Sequence, residues 1–121
     1  MHEMAIATEL IRQVVAIADE HGATHVDEIV IECGQMRQIV PEALELSSSL
    51  AAEGTVAQGA RLCLIEEKIV AVCRQCQHQF RPQVSDFVCP QCGQADARIV
   101  SGSQIILKSV VCQTDDGAAG P

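Results

Sequence analysis

Apolar residues recur at Met4, Ala7, Leu10, Ile11, Val14, Ile17 and Ala18, the i, i+3, i+4, i+7 spacing that lines one face of an α-helix. The pattern predicts an amphipathic helix over 4–21. Gly22 is its stop, and His21 falls in the last turn, where positive character suits the helix dipole. From 26 to 33 the period changes to two. Ile29, Ile31 and Cys33 fall on one face and Val30 and Glu32 on the other, which predicts a strand. A loop over 34–38 follows, and Pro41, favoured at the first helical position, opens a second helix over 41–52 with Leu44, Ser48 and Ala51 turned inward. Ser47, Ser48 and Ser49 lower the helix propensity there, so packing has to hold that helix. After Gly54 and Gly59, Leu62 and Leu64 alternate with Cys63 and Ile65 and predict a strand over 61–71. Ile105, Leu107 and Val111 predict another over 104–112. The tail over 113–121 reads as small, polar and flexible.

Between those last two strands the character of the chain changes. Residues 73–98 hold four cysteines, two of the four prolines and both phenylalanines. The expected fold is therefore α+β. A small sheet with two helices is formed by 1–70 and 99–112, and a zinc-ribbon module over 73–98 is inserted into it. The module reads Cys73-Arg-Gln-Cys76, twelve residues, then Cys89-Pro-Gln-Cys92-Gly. Two tight CxxC turns, each presenting two thiolates, with a hairpin-length connection between them, suit a tetrahedral Zn(II). Redox pairs or two disulfides are the competing readings, and a reducing compartment disfavours both. Four sulfurs close the coordination shell, so the metal is read as structural. Phe80 and Phe87 are expected to form the module's own small core, with metal binding supplying much of its folding free energy. His78, two residues after Cys76, could replace a thiolate or be an ordinary loop histidine.

Composition narrows the functional classes. Of 121 residues, 16 are acidic and 8 basic, a net charge of −8, which argues against nucleic-acid and membrane-surface binding. Residues 68–98 carry four bases and two acids, and a tetrathiolate zinc site brings that stretch near neutrality. With no Trp, no Tyr and two Phe, the core must be aliphatic. No run is long and apolar enough to span a membrane and the first residues lack a basic, then apolar leader, so the expected compartment is the cytoplasm. No nucleophile triad, phosphate loop or open metal site is legible, and the chain is read as a non-enzyme. Cys33, Cys63 and Cys112 read as small buried hydrophobes.

The first three residues carry chemistry of another kind. The Met1 α-amine, the deprotonated His2 amide and the His2 imidazole can close two fused chelate rings, with the Glu3 amide or carboxylate as a further donor. Nitrogen and oxygen donors in that arrangement suit Ni(II) or Cu(II) better than Zn(II). Taken alone the signal is weak, and the three residues read first as a frayed terminus with a solvated His2 and Glu3 facing the helix dipole.

Taken in order, the pieces resemble the HypA/HybF family of hydrogenase nickel-incorporation proteins over about 1–111. They are Met-His-Glu, an amphipathic helix, a strand ending in Gly, Pro-Glu opening a second helix, CxxC, twelve residues, CPxC, and the closing SGSQIILKSV. The resemblance implies a nickel metallochaperone that delivers Ni(II) to the large subunit of [NiFe] hydrogenase, works with a HypB-type GTPase and in some organisms serves urease. It implies nickel at Met1, His2 and Glu3 and zinc at Cys73, Cys76, Cys89 and Cys92, on a monomer or weak homodimer.

Overall fold

The computed structural model describes residues 2–114, His2 by its backbone alone. The elements run α1 (His2–Glu20), β1 (Ala23–Gly34), a 3-10 turn (Gln35–Arg37), α2 (Pro41–Ala52), β2 (Arg61–Glu67), β3 (Val70–Cys73), β4 (Gln79–Phe80), β5 (Ala97–Ser101) and β6 (Ile105–Thr114). They make two three-stranded sheets, β2-β1-β6 and β4-β3-β5. The chain divides into two compact units. One comprises residues up to Ile31, Ile39–Leu64 and the chain from Leu107; the other comprises Glu32–Gln38 and Ile65–Ile106.

In the first unit, α1 packs against α2. The predicted stripe of α1 is the buried one: Ala7, Leu10, Ile11, Val14 and Ala18. The helix ends where Gly22, at φ +66°, turns left-handed, and the His21 ring nitrogen meets the Ile17 carbonyl at 2.9 Å. Ile29, Ile31 and Cys33 of β1 lie buried, as the two-residue period requires, and Val26, three residues before Ile29, is buried out of that phase. On α2 the buried residues are Leu44, Ser48 and Ala52, not Ala51. Counting four on from Ser48 stays in line with the face, and counting three leaves it at the edge. Ser48 apart, the buried residues of this unit are aliphatic, as a chain so poor in aromatics demands.

Three expectations need correcting. The strand predicted over 61–71 is two strands, broken at Lys68-Ile69, and the sequence pattern predicts neither β4 nor β5. The 34–38 loop opens with a turn of 3-10 helix and closes on Gln38, left-handed at φ 52°. On β6, Val111 is exposed and Val110 and Cys112 are half-buried. Two consecutive exposed residues, Lys108 and Ser109, shift the alternation by one and move Val111 to the outside.

In the second unit β3 is central, pairing antiparallel with β4 (Ala71 opposite Phe80) and with β5 (Cys73 opposite Ala97). A register shift lies between Val70 and Ala71. The buried cluster here is Ala71, Cys73, Phe80 and Cys89, with Cys76 and Ala97 packed against it. Phe80 thus joins the cluster as expected. Phe87 does not: it lies outside that cluster and is only half-buried.

Candidate metal centre

The two CxxC segments fold alike, and their backbone explains why. In the first, the Gln77 N–H donates to the Cys73 carbonyl at 2.8 Å and the Cys73 N–H donates to the His78 carbonyl at 2.9 Å. In the second, the Gly93 N–H donates to the Cys89 carbonyl and the Cys89 N–H to the Gln94 carbonyl, both at 2.9 Å. The residue after each second cysteine is left-handed, Gln77 at φ 69° and Gly93 at φ 76°. Glycine takes that conformation without penalty. Glutamine does not, and the knuckle must hold it there. The left-handed step turns the chain back so that both sulfurs of a knuckle face the same point.

Those points coincide. The four sulfurs of Cys73, Cys76, Cys89 and Cys92 lie within 4.8 Å of one another. The closest approaches run between knuckles, Cys73 to Cys92 at 3.5 Å and Cys76 to Cys89 at 3.6 Å. A tetrahedral zinc ion with Zn–S bonds of about 2.3 Å separates its sulfurs by about 3.8 Å. The two closest pairs lie within a few tenths of an ångström of that spacing, and the widest-set sulfurs, up to 4.8 Å apart, need to close by at most about 1 Å to hold such an ion. All seven cysteines are unpaired, so the disulfide reading does not describe the fold.

Electrostatics point the same way. The His78 backbone N–H favours a thiolate at Cys76, yet desolvation and the neighbouring sulfurs push that thiol up to about 12. Cys92 is raised likewise, against the pull of the Gln94 N–H. Desolvation also raises Cys89, but the N–H groups of Cys92 and Gln91 and bonds from the Cys76 and Cys92 sulfurs outweigh it and lower Cys89 to about 7. One sulfur can carry charge while its neighbours donate to it; four thiolates this close require a cation between them.

Asp96 was not visible as a site residue in the sequence. Its carboxylate accepts from Gln75 Nε2 at 2.8 Å and Arg74 at 3.2 Å, and its carbonyl accepts from the Arg74 N–H at 2.8 Å. Gln75 first and then Arg74 hold its carboxyl below the usual range. Asp96 thereby locks the tip of the first knuckle. His78 stacks near-parallel on Phe80, ring centroids 6.3 Å apart, and is not part of the four-sulfur cluster.

Of the Met-His-Glu segment, Met1 and the His2 side chain lie outside the described residues. Glu3 is described, in the first turn of α1, and its Oε2 accepts the N–H of Val40, the residue capping α2, at 3.3 Å.

A family model described as hydrogenase/urease nickel incorporation, metallochaperone, HypA matches residues 1–112. The chain belongs to the HypA family. It is 34% identical to the hydrogenase maturation factor HypA of Chlorobium limicola, over 96% of this chain and all of that one. It is 31% identical to that of Aquifex aeolicus, over 95% and all of the two chains. The solution structure of the Ni metallochaperone HypA from Helicobacter pylori superposes with a TM-score of 0.69, covering 93% of this chain and 98% of that one at 22% identity. At that identity the likeness establishes a common fold. The HypA family is one of nickel metallochaperones for hydrogenase maturation.

The remaining cysteines of this HypA family member differ from one another. Cys33 is buried, and desolvation raises its thiol, as a small hydrophobe should behave. Cys63 is half-buried and donates through Sγ to Glu28 Oε2 at 3.1 Å, where Arg61 also donates at 2.9 Å. It is a hydrogen-bonding residue more than a hydrophobe. A Glu on one strand and an Arg-x-Cys on another carry no linear signal that they will pair.

Proposed function

We propose that this chain carries Ni(II) on Met1, His2 and Glu3, holds a structural Zn(II) on Cys73, Cys76, Cys89 and Cys92, and passes the nickel to the large subunit of a [NiFe] hydrogenase. The observation that carries this reading is the family match over residues 1–112. A HypB-type GTPase is the proposed co-worker, urease machinery a second acceptor, and a reducing cytoplasm the setting, in keeping with seven unpaired cysteines. The protein catalyses no bond change in this account. It acts as a monomer or weak homodimer built as a nickel domain, 1–70 with 99–112, and a zinc-ribbon module, 73–98.

Chemistry supports dividing the labour between two sites. A tetrathiolate shell is closed and soft, suited to retaining zinc and offering no position for exchange. A cargo ion needs donors that can be replaced one at a time. The amine and imidazole of the first two residues are such donors. The His2 amide lies among the first N–H groups of α1, which have no acceptor within the helix, so losing its proton breaks no helical bond. Binding releases protons from the amine and the amide, and affinity should rise with pH.

The test is a calorimetric Ni(II) titration of zinc-loaded protein with the native Met1 terminus, against the same protein extended by Gly-Ser. Saturable one-to-one binding that the extension abolishes is expected. Equal binding by both would place nickel elsewhere, and binding by neither would leave a zinc-ribbon adaptor without a transported metal.

A further inference from the structure

In the first unit, Met4, Thr8, Ile11 and Val15 of α1 line one side of an open groove of about 490 Å³, and Leu50 and Ala51 of α2 line the other. The α1 residues fall at i, i+4, i+7 and i+11, one stripe of a helix, so the groove runs for about three turns, roughly 17 Å. Its apolar lining reaches the surface: Met4 is 43% exposed and Leu50 49%. Leu46, one turn before Leu50, is exposed as well and carries the apolar strip further along α2. The charge around this strip is of one sign. α1 has four acids, and α2 with its cap residue Glu53 has three, against a single base, Arg12. Arg12 also stands on the groove wall, but it is already neutralised by Glu9, to whose two carboxylate oxygens its Nε and Nη2 donate. Asp19 follows Val15 by one turn, and the Glu53 N–H donates to the Leu50 carbonyl at 3.3 Å, so a carboxylate follows each wall. The first unit, with eleven acids and three bases, carries the whole net charge of −8, and the second holds five of each.

We infer that this groove receives an amphipathic helix of a partner protein, apolar along one face and rich in Lys and Arg on its flanks. Two packed helices with an apolar furrow between them offer a seat for a third, whose i, i+3, i+4 and i+7 side chains fill three turns of groove. The flanking carboxylates then set the sign of the partner, because an acidic rim steers and holds a basic segment and repels an acidic one. The same charge disfavours the other occupants. A second copy joined by a two-fold axis would set these carboxylates against themselves. An anionic membrane surface and nucleic acid are both repelled. The chain's own last residues, 115–121, carry two acids and no base. Nothing in this recognition requires nickel, and its test uses none.

The experiment is a two-dimensional amide NMR titration of the zinc-loaded full chain with three designed peptides of about fourteen residues, or four turns. The first has leucines on one helical stripe and lysines elsewhere, the second replaces every lysine by glutamate, and the third shuffles the first so that the stripe is lost. Saturable one-to-one binding of the first is expected, moving the amides of Thr8, Val15, Leu50 and Ala51 and weakening as salt is raised. The second should not bind, and the third should bind at least about tenfold more weakly. Leu50→Ser should cost about tenfold in affinity, and Asp19→Asn and Glu53→Gln about two- to fivefold each. Those two acids are exposed, so their variants stay informative even if Leu50→Ser loosens α2. Equal binding of the shuffled peptide, shifts centred away from the groove, affinity unchanged in Leu50→Ser, or no saturable binding at millimolar peptide would each overturn the inference. So would a dimer in sedimentation that Leu50→Ser dissolves, which gives the groove to a second copy. Flotation with phosphatidylglycerol vesicles would give it to a membrane, and groove shifts on deleting 115–121 would give it to the chain's own end.

Discussion

Gly34 and Gly102 cross backbone against backbone. A Cβ on Gly34 would lie 2.4 Å from the Gly102 carbonyl carbon and oxygen, and a Cβ on Gly102, itself at φ +89°, would lie 2.6 Å from the Ile69 Cα. The crossing is stitched by the Gly34 N–H to the Gln104 carbonyl at 2.7 Å and the Met36 N–H to the Gly102 carbonyl at 2.9 Å. Gln35 Oε1 accepts the Ile69 N–H at 3.1 Å. Three stretches distant in sequence meet at a point where only hydrogen fits.

Gly34→Ala is therefore expected to destabilise the second unit by about 2–4 kcal/mol, since backbone atoms on both sides cannot yield as a side chain would. Urea unfolding with amide exchange at Ile69 as the local reporter checks this. A loss below about 0.5 kcal/mol, the scale of an ordinary surface substitution, would show the crossing to be slack.

That crossing also shows what was legible in the sequence. The stripe of α1, the alternation of β1, Pro41 and the four cysteines are local signals, and each predicts its element or cluster because the period or spacing lies within a few residues. Gln35 reaching Ile69, Glu28 reaching Cys63 and Asp96 locking Arg74 depend on pairings across 20 to 35 positions, for which a single sequence holds no spacing rule. The short strands β4 and β5 were missed for a related reason. Their few residues are too short to show a period, and pairing with β3 is what makes them strands.

Cys73 and Cys89 are both ligand candidates and half of the second unit's buried cluster, so metal and core stand or fall together. Chelation, or Cys73→Ser, should collapse the amide dispersion of residues 71–97 in a two-dimensional NMR spectrum while α1 and α2 keep theirs. Four additional thiols should become reactive on chelation. Cys92→Ser, at the more exposed ligand, should be milder. A dispersed spectrum for 71–97 after complete metal removal would mean the sulfur cluster is ornamental to folding.

The Cys63–Glu28–Arg61 contact sets a pH dependence whose sign follows from its bonds. The Cys63 thiol and then Arg61 hold the Glu28 carboxyl below its ordinary range. The stabilisation is thus present above the unfolded carboxyl value and lost as pH falls through the folded one. The bond to Glu28, then desolvation, raises the Cys63 thiol, so that contribution is present below the unfolded thiol value and lost as pH rises through the folded one. Cys63 should accordingly alkylate more slowly with iodoacetamide at pH 8 than a model thiol, and Glu28→Gln should speed it by removing the charged acceptor. Mass-spectrometric rates that are equal in the two proteins would dissolve the link.

Glu3 has one observed role and one proposed role, and a pair of substitutions separates them. Its carboxylate joins the first turn of α1 to the Val40 N–H at the cap of α2, a purely structural task, and the proposed nickel set asks the same side chain for an oxygen. Glu3→Gln retains an acceptor for Val40 and loses the charge facing the helix dipole, about 0.3–1 kcal/mol. Glu3→Ala loses the hydrogen bond as well, about another 1 kcal/mol. Nickel distinguishes the variants differently, because a neutral amide oxygen is a far poorer donor than a carboxylate. If the carboxylate is a ligand, both variants should lose about tenfold in nickel affinity, the equivalent of about 1.4 kcal/mol, although their unfolding midpoints differ from each other. Wild-type nickel affinity in Glu3→Gln would confine the side chain to capping α2. The donors would then be the amine and the first backbone amides, with the His2 ring.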